Sequence, residues 1–374
     1  RQRQMCIRDR LYLYRSNCER SIISVYSPRG RPLRRWLAGF IIVVSGLALS
    51  FFLARQVLHA PMNLPVKDVT VVVKQGDSLK QILAHLKSRG FIETSRVLEL
   101  WARWQGIDRQ IHTGEYHLTP GLSGVGFLEL LERGDVVSYQ ITLPEGITLQ
   151  QALERLQSDT RLVRELDDAN DPLLLDLVSP PSSPEGWFLP ETYRFVAGDS
   201  DFDILQRAYK LMQRALQQAW KNRTSTTPLS TPYDALVLAS IVERETSVAE
   251  ERAVIAGVFT RRLEANMRLQ TDPTVIYGLG TDFDGNLTRR HLKDDTNPWN
   301  TYRIRGLPPT PIALPGVAAL EAVVRPAAGA ALYFVARGDG YHVFSETLEE
   351  HNANVRRYQL SRKTNYRSTP QGGN

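Results

Sequence analysis

The sequence predicts an α+β protein with a single N-terminal transmembrane helix, a small β/α module and a larger mixed α/β domain. Three observations carry this prediction. An uncharged run of 19 residues, Trp36 to Ala54, matches a membrane in length. A strand, a glycine turn and a capped helix begin at Val69 and return 70 residues later. Further on, long amphipathic helical patterns lie beside a hairpin signal. A length of 374 residues suits two or three domains. With 42% apolar residues, 25 Gly and 21 Pro, the chain is not collagen-like, wholly disordered or polytopic. Two cysteines are too few for a disulfide scaffold or a multi-cysteine zinc module.

The charge is unevenly placed. Residues 1–35 hold ten arginines and only Asp9 and Glu19, a balance of +8. The other residues therefore carry −2 against a total of +6, and no nucleic-acid partner is expected. As a helix, Trp36–Ala54 spans about 28 Å, close to the roughly 30 Å hydrocarbon core. Arginines immediately before the span place the N-terminus in the cytoplasm and residues 55–374 outside. A cleaved signal peptide, with Ala48 and Ser50 as small cleavage residues, is the alternative, but the apolar run is longer than a usual signal core. Cys6 and Cys18 both fall on the cytoplasmic side. The opening RQRQMCIRDR reads as partly non-native, so residues 1–25 are set aside. The expected order is a basic tail (1–35), the span (36–54) and a polar linker (55–68).

Val69–Val73 is a β-branched strand. In KQGDSLKQILAHLKSRG, Ser78 fits an N-cap, Leu79, Ile82, Leu83 and Leu86 form one helical face, and Gly90 ends the helix. A second helix is expected over Ser95–Gln105. Downstream, Ile141–Leu143 is a short strand, and PEGITLQQALERLQSD repeats the pattern, with Gly146, Thr148 and Leu149 matching Gly76, Ser78 and Leu79. VVVKQGDSLKQIL resembles the LysM module of cell-wall proteins. The resemblance implies a small β/α domain, here 69–136, that contacts amino-sugar glycans. Residues 137–223 form a connecting region with the second strand–turn–helix unit. Within it, 157–185 reads as a loop and Phe202–Trp220 as an amphipathic helix. Trp187, Phe188, Tyr193 and Phe195 read either as core or as a sugar-stacking platform.

Residues 224–365 form the third region. A linker, Thr224–Pro232, precedes a helix over Tyr233–Ala249. At 100° per residue, Glu245 falls at about 280°, amid Val237, Leu238, Ile241 and Val242. Glu243 falls at about 80°, on the polar side beside Ser240 and Ser247, so the two glutamates cannot share one site. Loss of hydration raises the pKa of Glu245, as a general acid near neutral pH requires; Glu243 is expected to feel no such pressure. A structural ion pair of Glu245 with Arg261 or Arg262 is the equal alternative from periodicity.

The segment RLQTDPTVIYGLG (268–280) reads as a polar loop suited to a saccharide or to an ordinary turn. NPWNTYRIRGLPPTPIALPG (297–316), with five prolines, reads as a rigid extended segment. Leu332–Ala336 and Tyr341–Phe344 form a hairpin across RGDG, Leu348–Leu360 a closing helix, and 366–374 a disordered tail.

The blocks EGWFLPETYRF, ASIVERET, RLQTDPTVIYG, NTYRIRGLPP, IALPG and LYFVARGDGYHVFSETLEEHN, in this order, resemble the YceG family of membrane-anchored endolytic murein transglycosylases. The resemblance spans roughly residues 36–365. It implies cleavage of the MurNAc–GlcNAc β-1,4 bond inside peptidoglycan strands with a 1,6-anhydro-MurNAc end, no cofactor and no metal. The family's catalytic glutamate matches Glu245. Gln270, Thr271, Asp272, Tyr277, Asn300 and Tyr302 match family blocks and are the candidate substrate-binding residues, with Asp272 expected to be structural or substrate-orienting. The implied setting is the bacterial inner membrane, with the catalytic domain in the periplasm and peptidoglycan synthases as neighbours. The sequence itself has no H-E-x-x-H, G-x-S-x-G or P-loop. A membrane-anchored, non-catalytic glycan-binding scaffold is the rival reading.

Overall fold

The structure, a computed structural model, describes residues 31–65, 67, 69–179 and 183–360. The expectations for residues 1–30, including Cys6 and Cys18, and for 366–374 lie outside the described residues. The chain forms two compact units, divided between Ala60 and Pro61.

Among the described residues, the first unit holds one helix, α1 (Arg31–His59). Its portion Trp36–His59 is long and apolar enough to cross a membrane, with a mean hydropathy of 2.4 and no buried residues in its apolar window. The helix continues through Arg55–His59, residues read from sequence as linker, because nothing breaks it before Pro61.

The second unit begins with a five-element motif that occurs twice. The first copy is β1 (Val69–Val73), α2 (Leu79–Ser88), α3 (Arg96–Gln105), β2 (Gly114–Leu118) and α4 (Gly124–Arg133). The second is β3 (Ser138–Thr142), α5 (Leu149–Gln157), α6 (Pro172–Val178), β4 (Thr192–Val196) and α7 (Asp201–Lys221). In each copy the two strands pair antiparallel, Val71 opposite Tyr116 and Gln140 opposite Arg194. The first helix of each copy has the same entry. Gly76 (φ 86°) and Gly146 (φ 79°) take left-handed turns, which glycine allows without strain. Ser78 and Thr148 then close capping boxes with Gln81 and Gln151. The repeat legible in sequence is thus the start of a longer one. Helix α6 lies inside the stretch read as a loop; Asp171 caps it through Leu173 N–H at 2.9 Å, and Pro172 opens its first turn.

The remainder is helical around α8 (Pro232–Glu245), followed by α9 (Ala249–Glu264), α10 (Asp272–Leu279), α11 (Arg289–Lys293) and α12 (Val317–Val324). A hairpin of β5 (Tyr333–Ala336) and β6 (His342–Ser345) leads to α13 (Leu348–Val355) and a closing π-helical turn, Arg356–Leu360. Ala235 to Val242 of α8 are all buried, so α8 is the axis of the core, flanked by α7, α9 and α12. The middle of α8 is covered on every side and only its ends, at Pro232 and Arg244, are exposed, which overturns the two-faced wheel drawn for it. The helix expected to run to Ala249 ends at Glu245. Thr246 turns extended (φ −147°), and its hydroxyl takes the Val248 N–H at 3.0 Å. Residues 272–279, read as loop, are helix α10, with Pro273 in its first turn.

Phe188, Tyr193 and Phe195 are buried, and Trp187 stacks on Tyr233 at 6.0 Å. This aromatic cluster joins the core of the second repeat to that of the helical part.

Candidate active site

Glu245 is the last residue of α8 and half-buried. It opens into a groove of about 550 Å³ that Gln270, Thr271, Asp272 and Tyr302 also line. The far wall comes from the hairpin and α13, through Tyr333, His342, His351 and Asn352. Burial raises the Glu245 pKa above its ordinary value, and the charge of Asp272 adds to this. Its place at the negative end of a helix dipole acts in the same direction. The Thr271 hydroxyl donates to Oε1 of Glu245 and partly opposes the shift.

The donor is held by a lattice of threonines. Thr271 N–H donates to Thr301 Oγ1 at 3.0 Å, and the hydroxyls of Thr274 and Thr301 are 2.8 Å apart. All three are buried. Gln270, just before Thr271, holds a left-handed φ of 52°, a costly conformation outside glycine and Asn/Asp, and its N–H donates to Thr301 O at 3.2 Å. Across the groove entrance, the Tyr302 hydroxyl donates to Asp272 Oδ1 at 2.6 Å.

The expected residues divide. Gln270, Thr271, Asp272 and Tyr302 gather beside Glu245. Asn300 does not face the groove. It is fully buried, and its amide donates to the carbonyls of His291, Leu292 and Asp294 at 3.1, 3.3 and 2.6 Å. Its role is to brace the segment that presents Thr301 and Tyr302. Tyr277 points the other way along α10, packs edge-on against Trp299 and donates to Glu185 at 3.3 Å. The arginines offered as structural partners of Glu245 are engaged elsewhere. Arg261 donates to Ala327 O and Ala331 O, and Arg262 to Leu269 O and Leu332 O.

Two further carboxylates escape a reading from sequence. Glu185 is buried, accepts the Leu149 N–H at 3.0 Å, and has its pKa pushed by burial up to about 7. Its place in EGWFLPETYRF reads only as part of an aromatic cluster. Glu243, expected to be wet, has a 4%-exposed side chain and a pKa also raised by burial. It accepts the Gly316 N–H at 2.9 Å and lies 3.4 Å from Arg252, which also reaches Glu145 in the glycine turn of the second repeat. Arg244 donates to Gly146 O at 2.9 Å. The second repeat therefore grips both helices that carry the site: α8 through Arg244 and the Arg252–Glu243 pair, and α10 through Glu185 and Tyr277.

Comparison with known proteins follows this geometry. The model of the YceG-like family matches residues 71–357, from within β1 of the first repeat through the second repeat and every groove residue named above. The chain belongs to the YceG-like family. A protein of Bacillus subtilis (strain 168) named endolytic murein transglycosylase is 29% identical over 315 residues, covering 79% of this chain and 86% of its own. One of the same name from Streptococcus pneumoniae serotype 2 (strain D39) is 27% identical over 322 residues; the match covers 77% of this chain and 58% of the pneumococcal one. A crystal structure of a yceG-like protein from Listeria monocytogenes superposes with a TM-score of 0.50 at 28% identity, covering 76% of this chain and 98% of that one. In the YceG-like chain described here, Glu245, Thr271 and the threonine lattice all lie within the matched span.

Proposed function

We propose that this YceG-like chain is an endolytic lytic transglycosylase of peptidoglycan, held in the bacterial inner membrane by α1 with its second unit in the periplasm. The observation that carries the reading is Glu245: a half-buried carboxylate with raised pKa, held by Thr271, at the floor of an open groove. A carboxyl that holds its proton more tightly than usual suits the role of general acid. Glu245 protonates the oxygen of a MurNAc–GlcNAc β-1,4 bond and the bond breaks. The resulting carboxylate then takes the proton of the MurNAc C6 hydroxyl as that oxygen attacks C1, assisted by the N-acetyl group. The product is a 1,6-anhydro-MurNAc end, and the glutamate recovers its proton. Hydrolytic glycosidases use two carboxylates flanking the bond; here one serves both steps. Asp272, bonded to Tyr302, orients substrate or supports the groove.

The arginine-rich flank supports a cytoplasmic N-terminus. The first repeat, with its strand–helix–helix–strand order, supports the LysM likeness. Peptidoglycan synthases working on nascent strands are the partners this reading calls for. The test is digestion of purified murein sacculi by the full chain, with mass spectrometry of the products. Anhydro-MurNAc ends are expected from the wild type and none from Glu245→Gln. Binding without cleavage would instead mark a scaffold, and reducing ends a hydrolase.

A further inference from the structure

The groove contains a second prepared group. His342 opens β6 and lines the same groove as Glu245. Its backbone N–H donates to Glu251 Oε1 at 2.8 Å, and its ring Nδ1 lies 2.7 Å from Glu251 Oε2. The two side chains are 11% and 9% exposed. Glu251 sits in the first turn of α9, where a helix N-terminus favours a carboxylate, and the Thr246 hydroxyl also reaches it at 3.5 Å. The imidazole packs edge-on to Phe334 at 5.4 Å, so its plane is fixed as well.

A carboxylate can only accept a hydrogen bond, so Nδ1 carries the proton toward Glu251. In the neutral ring, Nε2 then holds a lone pair and accepts. It is the ring nitrogen left for the groove. His351, in the same wall, is stacked on Tyr333 at 5.2 Å, and its Nδ1 is buried.

We infer that His342 is a catalytic residue in contact with substrate: Nε2 accepts a hydrogen bond from a hydroxyl of the sugar bound at Glu245 and orients it, while Glu251 is the positioning residue that holds the ring. This inference rests on the transglycosylase reading and adds a sugar contact to it.

The full chain in detergent micelles, labelled with ¹⁵N-histidine and carrying Glu245→Gln to prevent turnover, is titrated with a GlcNAc–MurNAc tetrasaccharide. The His342 Nε2 resonance is expected to move with the sugar while Nδ1 stays, and its assignment is checked with His342→Gln. In the active chain, His342→Ala and Glu251→Ala each lower kcat/KM on sacculi by about tenfold or more, the worth of one hydrogen bond to the sugar. His342→Gln, whose amide oxygen can accept the same bond, recovers part of the loss. A tetrasaccharide that binds without moving Nε2 overturns the inference and leaves the transglycosylase reading intact. No binding by the Glu245→Gln chain, together with no cleavage by the wild type, removes both.

Discussion

Burial raises the Glu245 pKa, and the hydrogen bond from the Thr271 hydroxyl holds that rise back. Replacing Thr271 with Val removes the donor that favours the carboxylate. The Glu245 pKa then rises further, and the alkaline limb of the pH–rate profile moves to higher pH. The carboxyl becomes a weaker acid, so protonation of the glycosidic oxygen slows and turnover falls at the former optimum. Glu185 makes a different prediction, read in stability. Its folded pKa of about 7 lies above its ordinary value of 4.5. The folded state therefore holds this proton more tightly than the unfolded chain. Stability from this group is fully present below about pH 4.5 and is lost as pH rises to about 7, a change on the order of 3 kcal/mol. Glu185→Gln keeps an acceptor for Leu149 N–H and cannot ionise. Its Tm is expected to vary less than that of the wild type between pH 4.5 and 7, measured by thermal unfolding.

At the scale of elements, the site depends on where α8 stops and α10 starts. Thr246 ends α8 so that Glu245 meets the groove, and the 270–272 turn brings Thr271 to meet it. Gly278 fixes how closely α10 approaches its neighbour, since a Cβ there would strike the side-chain amide of Asn297. Gly278→Ala is expected to cost about 1–3 kcal/mol by overpacking and to displace the 297–302 segment, lowering activity. Denaturant melts and cleavage assays on one preparation measure both effects. The two capping boxes allow a paired comparison. Ser78→Ala and Thr148→Ala each cost about 1 kcal/mol of local stability. Only Thr148→Ala is expected to reduce cleavage, because α5 is tied through Leu149 to Glu185 and so to α10. The helical wheel placed Glu245 usefully and misplaced Glu243. It assumes one wet face along the helix, whereas Ala235 to Val242 of α8 are covered all round.

For the whole molecule, the long apolar helix and the candidate site belong to different units. Deletion of residues 1–60 is expected to free the second unit from membranes while leaving its fold, since the division between units falls at Pro61. Carbonate extraction and circular dichroism test this outcome. The features legible in the sequence were local ones. Hydropathy marked a helix long and apolar enough to cross a membrane, because that property depends on length and composition alone. Ser78, Thr148 and their glycines marked two helix starts, because capping is satisfied within four residues. RGDG marked the hairpin, and the block order pointed to the family whose model matches residues 71–357. Contacts between distant segments decided the rest. They turned Tyr277 and Asn300 away from the groove, buried Glu185 and Glu243, and set His342 against Glu251, 91 residues apart in sequence. Periodicity shows which side chains share a face of one helix, whereas hydration depends on what covers that face, and here the cover comes from segments tens of residues away.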